Sequence, residues 1–228
     1  MKNLRIVCML MLFMALPLMA QENNITMDLE KFEELKAFDQ LNVTLVKSDK
    51  NQAVISGDDM EKVSIDNDDG RLKIKMEVEN ILDGNETNVM LYHTEVLSLV
   101  DANEGAQITS EGDLEAKYLT LRTQEGGKLI VTISARNLDA KAVTGGEIKI
   151  SGNAENQEVN IRSGGQYDAK DLSTNRTDIT IFAGGNGTIS ASDLVSANVT
   201  AGGTIEIYGN PETVKENKTF GGSIVVKQ

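Results

Sequence analysis

The sequence predicts an all-β chain: a single-stranded β-helix, or solenoid, of about 19 residues per turn, entered through an N-terminal β layer. Three observations predict it. Paired glycines recur at Gly126-Gly127, Gly145-Gly146, Gly164-Gly165, Gly184-Gly185, Gly202-Gly203 and Gly221-Gly222, in steps of 19, 19, 20, 18 and 19 residues. Apolar residues flank each pair at a spacing of two, which is strand spacing. No apolar pattern of helical length occurs between the pairs.

Taken in order, the chain opens with a short basic segment (Lys2, Arg5), an apolar stretch over 6–16, then Pro17 and the small Ala20. That is the order of a secretory signal peptide, so residues 1–20 are expected to be cleaved between Ala20 and Gln21. The apolar core is shorter than the roughly 20 residues of a membrane-spanning helix, and Cys8 stands too early in it to be a lipoprotein anchor. Cleavage leaves 228 − 20 = 208 residues, removes the only cysteine, and leaves packing alone to hold an exported fold. It also removes two cations, so the net charge becomes (22 − 2) − 35 = −15. Such a surface repels phosphate backbones and anionic headgroups, which argues against nucleic acid and peripheral membrane binding and for a soluble mature chain.

Residues 21–100 read as a β-rich part that caps or begins the solenoid. "LEKFEELKAFDQL" (29–41) fits helical spacing only in part and is read as an extended or irregular entry. Val43 and Leu45, then Leu72, Ile74 and Met76, alternate as half-buried strands do. Between them "NDDG" (67–70) is a hairpin turn, because Asp-Gly populates the primed turn types.

Residues 101–228 form the repeat. Two positions past each glycine pair stand Leu129, Ile148, Tyr167, Gly187, Ile205 and Ile224; four past it stand Val131, Ile150, Ala169, Ile189, Ile207 and Val226. Ahead of the pairs lie Ala140 and Ala142, Val159 and Ile161, Ile179 and Ile181, Ala197 and Val199. All should face one interior, with Gly187 making a local dent or narrowing. Each repeat is read as two strands of about four residues, with the glycines at one corner. A second corner falls at Asn137-Leu138, Asn153-Ala154, Asp171-Leu172, Asp193-Leu194 and Asn210-Pro211. Strands so short are stable only when stacked, about 4.8 Å apart, on the coils above and below. The glycines allow a positive φ and remove bulk where coils meet.

The opening "FDQLNVTLVKSDKNQAVISGDD", the middle "LSLVDANEGAQITSEGDLEAKYLTL", the glycine rungs and the closing "GGTIEIYGNPETVKENKTFGGSIVVK" together resemble the head GIN domain family of adhesin-type proteins. The resemblance covers nearly the whole mature chain. It implies a right-handed β-helix exported by Gram-negative bacteria, and it supplies no catalytic residues.

The residues themselves point away from catalysis. His93 is the only histidine, which excludes a multi-histidine metal site or a His-based triad; it is read as facing solvent. The mature chain has no thiol, and the glycine pairs lack the Gly-Lys-Ser/Thr of a phosphate loop. Asp58, Asp59, Asp66, Asp68 and Asp69 are read as turn residues, not calcium ligands. No cofactor or metal is expected. The best candidate binding face is the row just after the glycines: Lys128, Glu147, Gln166, Asn186, Thr204 and Ser223, polar and mixed, suited to many weak contacts with a glycan or a partner surface. Tyr167 and Tyr208 are the aromatics that could stack on a sugar. The expected function is envelope binding or adhesion without catalysis. The alternatives are a polysaccharide lyase or hydrolase using acidic residues and a structural periplasmic protein.

Overall fold

The computed structural model describes residues 24–77 and 86–227; the expected signal peptide, 1–20, lies outside them. Strands are built where apolar and polar residues alternate, and all sixteen described strands join one sheet that winds around a single apolar core. About seven turns of the solenoid result, at about 19 residues each.

The parallel stacking starts well before the glycine repeat. Strands β1 (Asn24–Asp28), β2 (Glu34–Ala37), β3 (Asn42–Lys47), β4 (Gln52–Gly57), β5 (Val63–Asp68), β6 (Arg71–Met76), β7 (Thr87–His93), β8 (Leu99–Ala102) and β9 (Gln107–Thr123) supply the first coils and their cover. β2 lies between β6 and β8, and β3 between β7 and β9, all parallel. The first coil of the chain is therefore the second in the stack, because β6 and β7 return to its outer side. β4 pairs antiparallel with β7 and β1 with β4, while β5 closes on β6 through the expected hairpin, with Asp69 at φ 49° and Gly70 at φ 82°. These antiparallel strands cover the ladder edges that would otherwise be open at this end. The stretch 29–41 is extended, not helical, as expected: β2 has Leu35 and Ala37 fully buried.

From there β10 (Lys128–Val143), β11 (Glu147–Arg162), β12 (Gln166–Phe182), β13 (Asn186–Thr200), β14 (Thr204–Tyr208), β15 (Thr213–Thr219) and β16 (Ser223–Val226) stack in sequence, parallel throughout. The expected pair of four-residue strands per coil is corrected: β10 and β11 are 16 residues each and run through the second corner without losing their ladder. The bend shows as a slip of phase. Ala135 and Leu138 both point inward, three apart, with Arg136 and Asn137 taking the turn. Asn137 is level with Asn156, and Asn153 with Ser134, so the five expected corner pairs do not form one row. Of their leading residues only Asn210 has a left-handed backbone, at φ 55°. Of the apolar residues that follow them, Leu138, Ala154 and Leu172 are buried, whereas Leu194 is only half-buried.

Departures from a period of 19 are bulges. β12 carries one more residue than β11 between Lys149 and Ser151, which accounts for the step of 20. The expected inward residues are buried except Val226, 46% exposed because β16 is the last strand of the described stack. Of the two alternatives at Gly187, no empty dent is left, and the interior is filled from the neighbouring coils. A Cβ there would lie 2.6 Å from Ile179 Cδ1 and 2.9 Å from Ile161 Cδ1, so isoleucines of the neighbouring strands already occupy the space.

Candidate functional site

The register brings the six-residue row together: Lys128, Glu147, Gln166, Asn186, Thr204 and Ser223 are successive Cα partners, continued on the other side by Gln107, Asn42 and Asn88. Much of its polarity is satisfied within the row. Lys128 Nζ lies 3.2 Å from Glu147 Oε2, and Asn186 Nδ2 donates to Gln166 Oε1 at 3.1 Å. These contacts are solvent-exposed and contribute little to stability.

Tyr167 is not available to a ligand. It is 2% exposed, inside the coil, where its hydroxyl donates to Gln157 Oε1 at 2.8 Å. Gln157 Nε2 in turn donates to Thr177 Oγ1 at 2.8 Å, and Thr177 and Thr174 share a hydroxyl contact of 3.0 Å. Thr174 Oγ1 donates to the Ser190 carbonyl at 2.7 Å. Burial pushes the Tyr167 phenol far above its usual range, so it stays a neutral donor. Tyr208 is half-buried, with Lys170 Nζ 4.8 Å from its ring centre.

His93 was expected to face solvent and is buried instead, 4% exposed. It shares the inward phase of Val89 and Leu91, and its Nδ1 bonds the Glu95 carbonyl at 2.9 Å. Burial lowers its pKa from the ordinary 6.5; the Glu95 carbonyl opposes the shift and Lys47 adds to it. An unfolded chain then takes up this proton at higher pH than the folded one does. Stability from this group is present above pH 6.5 and is lost as pH falls through the folded value. Asp101 and Glu104, both raised chiefly by burial, act with the opposite sign in more acidic solution. Thermal melts of the natural chain and His93→Phe should diverge in slope just below pH 6.5; parallel slopes would refute this assignment.

The acidic residues at 58–69 are spread over two turns and a strand. Asp59 and Asp69 have left-handed backbones, while Asp66 and Asp68 lie within β5. Among the described residues no group of three His, Cys, Asp or Glu side chains is arranged to hold a metal ion.

One concavity lies where the coils bend. It is a groove of about 430 Å³ crossing β9, β10, β11, β12 and β13. One wall is the register row Tyr118, Asn137, Asn156, Arg176 and Leu194; the other is Thr120, Asp139, Glu158, Asp178 and Ser196. Leu119, Leu138, Gln157 and Thr177, all buried, form the floor between them. Asn156 Nδ2 donates to Asn137 Oδ1 at 3.1 Å along the first wall. On the second, three exposed carboxylates, Asp139, Glu158 and Asp178, project from adjacent coils whose backbones are about 4.8 Å apart. Among the described residues no Lys or Arg forms an ion pair with them. Counting forward from the glycines misses this groove. Counting six residues back gives Thr120, Asp139, Glu158, Asp178 and Ser196 directly, and counting eight back gives the opposite wall.

The model of the family described as "Putative auto-transporter adhesin, head GIN domain" matches residues 31–211. The chain belongs to this family. Its head GIN fold is shared by solved structures of low sequence identity. A "putative adhesin" from Bacteroides fragilis superposes with a TM-score of 0.78 at 18% identity, over 90% of this chain and 97% of that one. A "putative adhesin" from Parabacteroides merdae gives 0.70 at 17%, with the same coverage. A "putative lipid binding protein" from Parabacteroides distasonis gives 0.65 at 15%, again over 90% and 97%. No curated protein matches the sequence. No helix among the described residues of this head GIN protein is long and apolar enough to cross a membrane.

Proposed function

We propose that this head GIN protein is an exported, non-catalytic binding protein of the cell envelope, with residues 1–20 removed on export, 21–100 beginning and capping the rod, and the groove of 101–228 receiving an extended partner. The groove carries the reading. It repeats similar chemistry over five coils, which suits many weak, aligned contacts along a polymer. The adhesin descriptions of the family and of its structural relatives support the same class of function. The row from Lys128 to Ser223 is a second, flatter face, more occupied with its own hydrogen bonds.

A hydrolase or lyase reading is weaker. Asp139 and Glu158 are register partners on adjacent coils and stand side by side on one wall. A pair that cleaves a glycosidic bond must flank it.

Protease treatment of intact cells, with a lysed-cell control, tests the placement: digestion on intact cells is expected. Survival until the outer membrane is broken would exclude adhesion to another cell and leave a periplasmic role. Adherence of cells carrying Tyr118→Ala with Asp139→Asn tests the groove, and unchanged adherence would sink it.

A further inference from the structure

We propose that the groove's ligand is an uncharged glycan lying along the solenoid axis; this rests on the binding reading above. The first argument is period. Each wall presents one residue per coil, about 4.8 Å apart. A chain of pyranose rings advances by nearly that distance per sugar. An extended peptide places side chains on one face about 6.8 Å apart and falls out of step. The backbone of β10, β11 and β12 is already paired on both sides, so a peptide cannot join there as an added strand.

Charge selects among glycans. Asp139, Glu158 and Asp178 line one wall without ion-paired cations, in a chain of net charge −13. Uronate, sulfate or phosphate groups laid against them would be repelled, whereas hydroxyl groups would donate to them, two to a carboxylate. The facing wall supplies donors through Asn156 and Arg176. At one end Tyr118, 63% exposed and with Lys117 Nζ 5.5 Å from its ring centre, offers an aromatic ring for the C–H side of a sugar. Acceptors, donors and a stacking face on adjoining surfaces are the complement of a neutral hexose.

The mature chain is titrated calorimetrically with neutral hexose oligosaccharides of several linkages, with uronate oligosaccharides of matched length and with a lysine-rich peptide. Neutral oligosaccharides are expected to bind, more tightly as they lengthen, until the groove is filled. Tyr118→Ala should weaken binding about three- to tenfold, while Tyr118→Phe retains it. Asp139→Asn with Asp178→Asn should weaken neutral binding and relieve exclusion of uronates. Tyr118 and the carboxylates are exposed, so unchanged thermal melts will show that the variants fold. Equal or tighter binding of uronates or of the peptide, or neutral binding indifferent to every variant, would overturn the proposal. So would an absence of binding across the neutral set. If adherence still depends on the groove in that case, the binding reading survives and the glycan assignment alone fails. If adherence is also indifferent, both fail.

Discussion

Gly146→Ala is expected to lower the melting temperature by roughly 6–12 °C, well beyond the effect of Gly145→Ala next to it. An added Cβ at Gly146 would stand 2.6 Å from Thr123 Oγ1 and 2.7 Å from the Thr123 backbone carbon and oxygen. Thr123 is fixed by pairing to Ala102 on one side and Ala142 on the other, so it cannot withdraw without breaking the ladder. Overpacking against fixed backbone costs about 3 kcal/mol, and each kcal/mol is worth about 2–4 °C in a chain of this size. Gly145 poses a different problem. It sits at φ 72° after Thr144 at φ 49°, in a turn closed by Gly146 N–H donating to the Val143 carbonyl at 2.9 Å, and a Cβ there meets nothing within 4 Å. Alanine at that position incurs only the strain of the left-handed backbone, about 1 kcal/mol. Valine is branched and adds strain, while a change at the exposed Lys149 should stay within about 0.5 kcal/mol. The two glycines thus play separate roles, since the first turns the chain and the second lets the coils close. Equal melting shifts for the two alanine variants would contradict that division.

Gln157→Leu is expected to cost about 2–3 kcal/mol, and Tyr167→Phe made in the same molecule should recover part of it. Gln157 of β11 is 3% exposed and joins Tyr167 to Thr177, both of β12, inside two adjacent coils. Leucine in its place leaves the Tyr167 hydroxyl buried without a partner, and a buried unsatisfied group costs about 1–3 kcal/mol. Removing both partners leaves Thr177 with Thr174 and takes away the orphaned hydroxyl. The double variant should therefore be less destabilised than the sum of the singles, with a coupling of about 1 kcal/mol or more. Additive losses in chemical denaturation would show that the chain of hydrogen bonds does not act as a unit.

Much of the fold was legible in the residues. The glycine period, the alternating apolar positions at Leu129, Val131, Ile148 and Ile150, and the Asp-Gly hairpin follow from local chemistry, because turn formation and strand phase depend on residues close in sequence. The corner itself is less bound to glycine than the repeat implies. Asp39 and Gln40, at φ 57° and 62°, make it without any, with Leu41 N–H donating to the Phe38 carbonyl at 3.3 Å. Paired glycines alone therefore mark the start of the stacking too late.

By itself the sequence determined a β-solenoid, its period, its inward faces and an acidic composition. The tertiary structure decided the order of the first coils, with β6 and β7 stacked outside β2 and β3. It also decided the inward burial of His93, the hydrogen-bond partner of the Tyr167 hydroxyl, and the alignment of Asp139, Glu158 and Asp178 on one wall of a groove. The physical reason is one of range. Ladder hydrogen bonds between coils are made by backbone groups that every non-proline residue carries, so they leave no signature of which strand lies beside which. Whether a polar side chain is buried or displayed depends on partners one coil away, as Gln157 depends on Thr177, and those partners are fixed only when the coils stack.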